Sequence, residues 1–272
     1  MHVALCGPAH AEPLLLLHGW PQHWFMWRRV LPQLAATRRC IVPDLRGLGW
    51  SDAPPNGYRK ELLADDILAL LDALGIEQTD LIGHDWGGWV GFLIALREPA
   101  RLRRFLALNI PPPWPARQGR ARVLLASWRL WYQVVMATPG VGTRIVGRPK
   151  LLAKLLRADN VQPGVFPDAD VAEFAAALAE PARAAASARY YRDFLLHELP
   201  QLLGGRYAGV PLAVPTQILF GTGDRAIARV LIEGAQRPGD PLAVELVEGS
   251  GHFLAEELPD FVVKRAREFL GA

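Results

Sequence analysis

Residues 80–89 read Asp-Leu-Ile-Gly-His-Asp-Trp-Gly-Gly-Trp, a short apolar run that enters Gly-x-Asp-x-Gly and continues with helical spacing. Thr79 to Gly83 is expected to form a buried strand and Trp86 to Arg97 a helix. A turn this sharp brings its flanking residues close together, so Gly83 and Gly87 are needed as small neighbours. The central side chain, Asp85, is then displayed at the carboxyl edge of a sheet. At a helix N-terminus its carboxylate is favoured over the acid, which makes it an ionised nucleophile rather than only a helix cap.

The strand-then-helix rhythm continues on both sides. Further strands are expected at His2 to Cys6, Leu14 to Leu17, Cys40 to Val42, Phe105 to Asn109, Thr216 to Gly221 and Ala243 to Glu248. Helices are expected around Trp27 to Ala36, Arg59 to Leu74, Ala226 to Gln236 and Pro259 to Leu270. Alternation of this kind predicts an α/β fold, a mostly parallel doubly wound sheet. One interval breaks it. From the stiff Pro-Pro-Pro-Trp-Pro segment at 111–115 to about Gly205 there are helical patterns, notably Val123 to Met136 and Val171 to Leu196, but no convincing strand. The core is therefore assigned to 1–110 and 206–272, and 111–205 to an inserted helical lid whose Leu, Ala, Trp and Tyr cover an apolar pocket.

Composition agrees with a globular catalyst and excludes several other classes. The chain has 272 residues, 51% hydrophobic and 21% charged, enough for a large core in one domain with an inserted subdomain. The net charge of +3 comes from scattered arginines, so no nucleic-acid footprint is expected. Arg117, Arg120 and Arg122 read as a solvated loop. Cys6 and Cys40 are too few for a disulfide scaffold and lack metal-site spacing, so a cytoplasmic setting with no metal and no cofactor is expected. Leu14 to Leu17 is too short to span a bilayer, and no stable membrane insertion is expected. A homodimer is compatible with the sequence, which does not specify oligomeric state.

An aspartate at such a turn narrows the chemistry. A carboxylate suits attack on a saturated carbon, forming an alkyl ester that water then cleaves. Substrates must carry a strained or easily expelled group, such as an epoxide or a halide. Ser51, Ser127, Ser187 and Ser250 lie outside any elbow pattern, which argues against a serine esterase. The second step needs a base and an orienter. His252, in Gly-Ser-Gly-His-Phe, and Asp224, in Phe-Gly-Thr-Gly-Asp, follow the last two strands in the chain order Asp, Asp, His of a triad. The backbone amides of Trp20, in His-Gly-Trp-Pro at 18–21, and of Trp86 are the expected oxyanion donors. A cis Trp20–Pro21 bond is not readable from sequence. His84 is given a structural role.

His-Gly-Trp-Pro, Asp-Leu-Arg-Gly-Leu-Gly-Trp-Ser-Asp at 44–52, Gly-His-Asp-Trp-Gly-Gly and the late Asp and His together resemble microbial epoxide hydrolases of the α/β-hydrolase fold, over nearly the whole chain. The resemblance implies two lid tyrosines that bind the epoxide oxygen. Trp-Tyr-Gln at 131–133, ahead of Pro139-Gly140, makes Tyr132 the first; Arg-Tyr-Tyr-Arg at 189–192 makes Tyr191 the second, with Tyr190 as the alternative if Tyr191 faces away. Phenols suit that role chemically, since ring opening releases an alkoxide that needs hydrogen bonds and a proton. The expected partners are a small apolar epoxide and water, in a pocket built by Trp20, Trp86, Trp128, Trp131, Gln133 and Phe253.

Members of that group usually carry another strand ahead of His2–Cys6, which implies an abbreviated sheet edge here. Some related enzymes keep their acid after the strand that ends near Leu108, where this chain has Asn109, and this strengthens the case for Asp224. The competing readings are a haloalkane or haloacid dehalogenase, using Trp86 with Trp128 or Trp131 to hold halide, and a non-catalytic ligand receptor. The tyrosine pair weighs against the first and the complete triad against the second.

Overall fold

Leu14, Leu15, Leu16 and Leu17 are all fully buried, as a parallel strand covered by helices on both faces requires. In this computed structural model, which describes residues 1–114 and 131–271, they belong to β2 (Pro13–Leu17). The same sheet contains β1 (Val3–Cys6), β3 (Arg39–Pro43), β4 (Thr79–His84), β5 (Leu102–Leu108), β6 (Thr216–Gly221) and β7 (Leu242–Val247). The order is β1-β3-β2-β4-β5-β6-β7, with β1 antiparallel to β3 and every other pairing parallel. The expected doubly wound sheet is present. Its strand order reverses between β2 and β4, and open α/β sheets place their ligand crevice at that point, beyond the carboxyl ends of the strands.

Helices α1 (Lys60–Ala73) and α2 (Trp86–Arg97) form as the periodicity predicts. Eleven of the twelve α2 residues are buried, because this helix packs directly behind β4. Between β5 and β6 the described residues form α3 (Trp131–Ala137), α4 (Val141–Val146), α5 (Pro149–Ala158), α6 (Asp168–Leu178) and α7 (Pro181–Asp193), with no strand among them. The chain closes with α8 (Pro259–Leu270).

Several expectations are corrected by local chemistry. The segment expected to be helical over Trp27–Ala36 is a 3-10 turn, Trp24–Arg29, followed by a short helix, Leu31–Leu34. Pro32 supplies no amide for a continuous ladder. Of the helix expected over Ala226–Gln236 only a 3-10 turn at Arg229–Leu231 forms. Asp224 Oδ1 captures the Ile227 amide at 2.8 Å, and Gly234 turns the chain with φ 74°. The Val171–Leu196 helix is divided in two because Pro181 starts α7, and after Asp193 the winding widens into a π turn over Phe194–Glu198. Asn109 leaves β5 for a left-handed conformation, φ 48°. Trp128, the arginines at 117, 120 and 122, and most of the Val123–Met136 segment lie outside the described residues.

Candidate active site

The turn between β4 and α2 holds Asp85 at φ 48° and ψ −123°, a conformation that non-glycine residues seldom adopt. What over-determines it is close packing. A Cβ on Gly87 would sit 2.4 Å from the Leu17 carbonyl oxygen, and one on Gly83 would sit 2.8 Å from that of Gly87. A third glycine, not anticipated from the sequence, matters as much: a Cβ on Gly19 would lie 2.4 Å from that of Asp85. The loop after β2 can therefore press its backbone against the carboxylate, and the Trp20 N–H donates to Asp85 Oδ1 at 2.9 Å. The backbone N–H of Trp86 also favours the charged carboxylate. Of the two expected backbone donors, Trp20 thus bonds Asp85, and the Trp86 amide opens α2 directly after it. The Trp20–Pro21 bond is cis.

β6 and β7 deliver the other two groups. His252 Nε2 stands 3.8 Å from Asp85 Oδ2, and His252 Nδ1 bonds Asp224 Oδ2 at 2.9 Å. Asp224 is itself held firmly. Its Oδ2 also accepts from Asn109 Nδ2 at 2.9 Å, and that amide donates to the Gly251 carbonyl as well, at 3.0 Å. Asn109 thus ties the carboxylate that follows β6 to the loop after β7. His84 lies behind the group, with Nε2 donating to the His252 carbonyl at 2.9 Å. Its burial holds its pKa far down, so it stays neutral, as a supporting residue should.

Burial alone would push protons off His252, but Asp224, Asp85 and Asp159 outweigh it and raise the imidazole to about 9. Burial pushes the Asp85 carboxyl upward, opposed by His252 and the two backbone amides. The imidazolium–carboxylate form of this pair is the one the geometry favours, since the charges face each other and Asp85 Oδ1 accepts the Trp20 N–H.

Above Asp85 lies a cavity of about 680 Å³ between the sheet edge and the inserted helices. Trp20, Asp85, Trp131, Tyr132, Tyr191, His252 and Phe253 line it, along with aliphatic residues of α3, α4 and α5. The Tyr132 and Tyr191 rings meet edge to face with centroids 5.9 Å apart. Tyr190 turns the other way and donates its hydroxyl to the Arg46 carbonyl at 2.7 Å, so Tyr191 is the residue facing the cavity. Trp131 stands at the wall but is 63% exposed. The Trp86 indole and Gln133 side chains stand outside the lining: Trp86 packs against Phe194 and Tyr191, and Gln133 donates from Nε2 to the Tyr132 hydroxyl at 3.3 Å.

Asp159 and Arg225 also reach the cavity wall and were not singled out from the sequence. Asp159 follows α5 and its carbonyl accepts the His252 amide at 3.0 Å. No local motif marks it, because only the packing of the insert onto the β7 loop brings it there. Among the described residues no cluster of three potential metal ligands occurs, and no helix is long and apolar enough to cross a membrane.

Comparison with known proteins agrees with this fold. A family model described as the alpha/beta hydrolase fold matches residues 12–259. The soluble epoxide hydrolase of Corynebacterium sp. (strain C12) is 32% identical over 278 residues, covering 99% of this chain and 93% of that protein. Among solved structures, the epoxide hydrolase CorEH without ligand superposes with a TM-score of 0.82 at 28% identity, covering 99% of this chain and 94% of that one. Wild-type Cfl2 from Burkholderia cenocepacia superposes with a TM-score of 0.83 at 28% identity, covering 98% and 91% of the two chains. With its sheet order, its strained aspartate turn and a family match across most of its length, this chain belongs to the α/β-hydrolase fold family.

Proposed function

We propose that the protein is an epoxide hydrolase, converting an epoxide and water into a vicinal diol through an ester on Asp85. The observation that carries the reading is the convergence of two tyrosines on the cavity directly above a carboxylate that accepts the Trp20 N–H at 2.9 Å. The inserted helices then act as a lid over the reacting centre.

In the first step one Asp85 oxygen attacks a ring carbon, the carbon–oxygen bond breaks, and its electron pair goes to the epoxide oxygen. Tyr132 or Tyr191 hydrogen-bonds that oxygen and gives it a proton. Burial raises the pKa of both phenols, so neither ionises spontaneously, and each yields its proton only to a base as strong as an alkoxide. The tyrosinate so formed recovers its proton from the His252 imidazolium. That transfer leaves a neutral imidazole next to an ester that no longer carries the Asp85 charge.

Neutral His252, held in one tautomer by Asp224, then takes a proton from water, and the water oxygen adds to the Asp85 carbonyl carbon. The Trp20 and Trp86 amides hold the resulting oxyanion, and one such donor contributes about 3–4 kcal/mol to a transition state of this kind. Collapse expels the diol alkoxide, which takes the proton from His252; the Asp85 carboxylic acid left behind then gives its proton to His252, and the imidazolium–carboxylate pair is restored.

A dehalogenase would share the three lower residues but needs N–H donors for halide. The Trp86 indole stands outside the cavity lining, and Trp131, the other described tryptophan named for that role, is 63% exposed at the wall. The His252→Gln variant separates the two readings. Incubated with an epoxide it should accumulate an Asp85 adduct with the mass of the intact substrate, whereas a dehalogenase adduct lacks the halogen. Wild-type turnover of epoxides with no mass gain in the variant would refute covalent catalysis.

A further inference from the structure

Lys60 opens α1, yet none of its side chain reaches solvent. A wholly buried ammonium is rare unless it is paired and hydrogen-bonded, because its desolvation costs on the order of several kcal/mol. Burial does depress its pKa, against the attraction of Glu198, Asp193 and Asp85. Its partners are specific. Nζ donates to the backbone carbonyl of Tyr190 at 2.6 Å, stands 2.9 Å from Glu198 Oε2, and lies 4.2 Å from the ring centre of Trp86. Glu198 also accepts the backbone amide of Lys60 at 2.5 Å, where the α1 N-terminus favours a carboxylate.

The π turn over Phe194–Glu198 makes this pairing geometrically available. Its closing bond runs from the Leu199 amide to the Phe194 carbonyl, and one residue fewer would swing Glu198 by about 100° around the helix. Such a widened turn is a feature often retained at functional sites.

Two of the groups that Lys60 grips lead to the reacting centre. The Tyr190 carbonyl belongs to the peptide that joins Tyr190 to Tyr191. The Trp86 indole lies against Tyr191, with ring centroids 5.9 Å apart. A cation on the indole face is attracted to the ring and helps to hold it in place. Fastening α7 to the core does not require this ammonium. Tyr58 N donates to Asp193 Oδ2 at 3.1 Å and the Tyr190 hydroxyl to the Arg46 carbonyl at 2.7 Å.

We infer that Lys60 is a positioning residue for epoxide opening: from outside the cavity it sets Tyr191, and the indole packed against it, above Asp85. This rests on the epoxide hydrolase reading. Its specific consequence is that Lys60 serves the ester-forming step and not ester breakdown, because the Trp20 amide, His252 and Asp224 are held by other contacts and the Trp86 amide is fixed by the tight turn between β4 and α2.

The test uses Lys60→Met, which keeps most of the stem, and the double variant Lys60→Met/Glu198→Gln, which leaves neither charge buried and covers the case in which the single variant fails to fold. Rapid-quench single turnover with a small aryl epoxide, followed by intact-protein mass, gives the two rate constants separately. Ester formation should slow by about tenfold to a hundredfold, as expected for a misplaced reacting group, while ester breakdown stays within about threefold of wild type. Equal slowing of both steps, or unchanged ester formation, overturns the assignment. A wild-type protein that forms no ester refutes the epoxide hydrolase reading itself.

Discussion

Asp85→Asn removes one charge from a buried group of three and alters little in shape, so it isolates what that charge does to His252. The two side chains are 3.8 Å apart. Unit charges about 4 Å apart attract by roughly 4 kcal/mol at an effective dielectric of about 20, and by about 1 kcal/mol in bulk water. One pKa unit corresponds to about 1.4 kcal/mol. The imidazole, pushed up to about 9 in the wild type, should therefore titrate about one to three units lower in the variant. A folded-state pKa above the ordinary histidine value means that this group stabilises the fold fully below about pH 6.5, and that the contribution is lost as pH rises through about 9. In Asp85→Asn that loss should move to lower pH. Histidine ring NMR, with His252→Gln to assign the resonance, measures both pKa values. Identical titration in the two proteins would refute the argument, since ester formation could not then convert His252 from a cation into a base.

Tyr132→Phe combined with Tyr191→Phe should nearly abolish diol formation while leaving thermal unfolding within a few degrees, and unchanged turnover would remove the phenols from the mechanism. Gly19→Ala places a methyl group 2.4 Å from the Asp85 Cβ; its kcat/KM should fall about a hundredfold or more, and a full-activity variant would show that the loop after β2 is free to retreat. Asn109→Ala loses the bonds to Asp224 and Gly251 and puts alanine at φ 48°, so chemical denaturation should show a loss of about 2–4 kcal/mol. A loss under about 1 kcal/mol would mean that Asp224 is held by other contacts.

What could be read from the sequence was chemistry tied to local pattern. The aspartate turn, the strands around it and the two late loops each announce themselves within a few residues, because a sharp turn needs its glycines nearby and a buried strand needs consecutive apolar residues. Asp85, Asp224 and His252 accordingly meet where the chain order suggested. Features created by long-range packing were not legible. Gly19 matters only because Asp85, 66 residues later, is folded against it, and Asp159 reaches the cavity only through the seating of the insert. Lys60 looks like any solvated first-turn lysine until Glu198 is seen above it. Placing Trp86 and Gln133 in the cavity wall failed for the same reason, since a motif fixes the backbone of a residue but not which neighbours close over its ring. The breaks at Pro32 and Pro181 were visible in the chain, yet periodicity on either side outweighed them.

The unequal settings of the two Asp85 oxygens have a further consequence. Oδ1 is bound by the Trp20 amide, while Oδ2 faces His252. Each catalytic cycle of the proposed kind hands one of these atoms to the product and replaces it with an atom from solvent. An oxygen pinned by a backbone amide stays out of this exchange as long as the side chain does not rotate between cycles. After many turnovers in heavy-oxygen water the aspartate would then carry a single foreign atom, and the appearance of a second would count the rotations of the carboxylate.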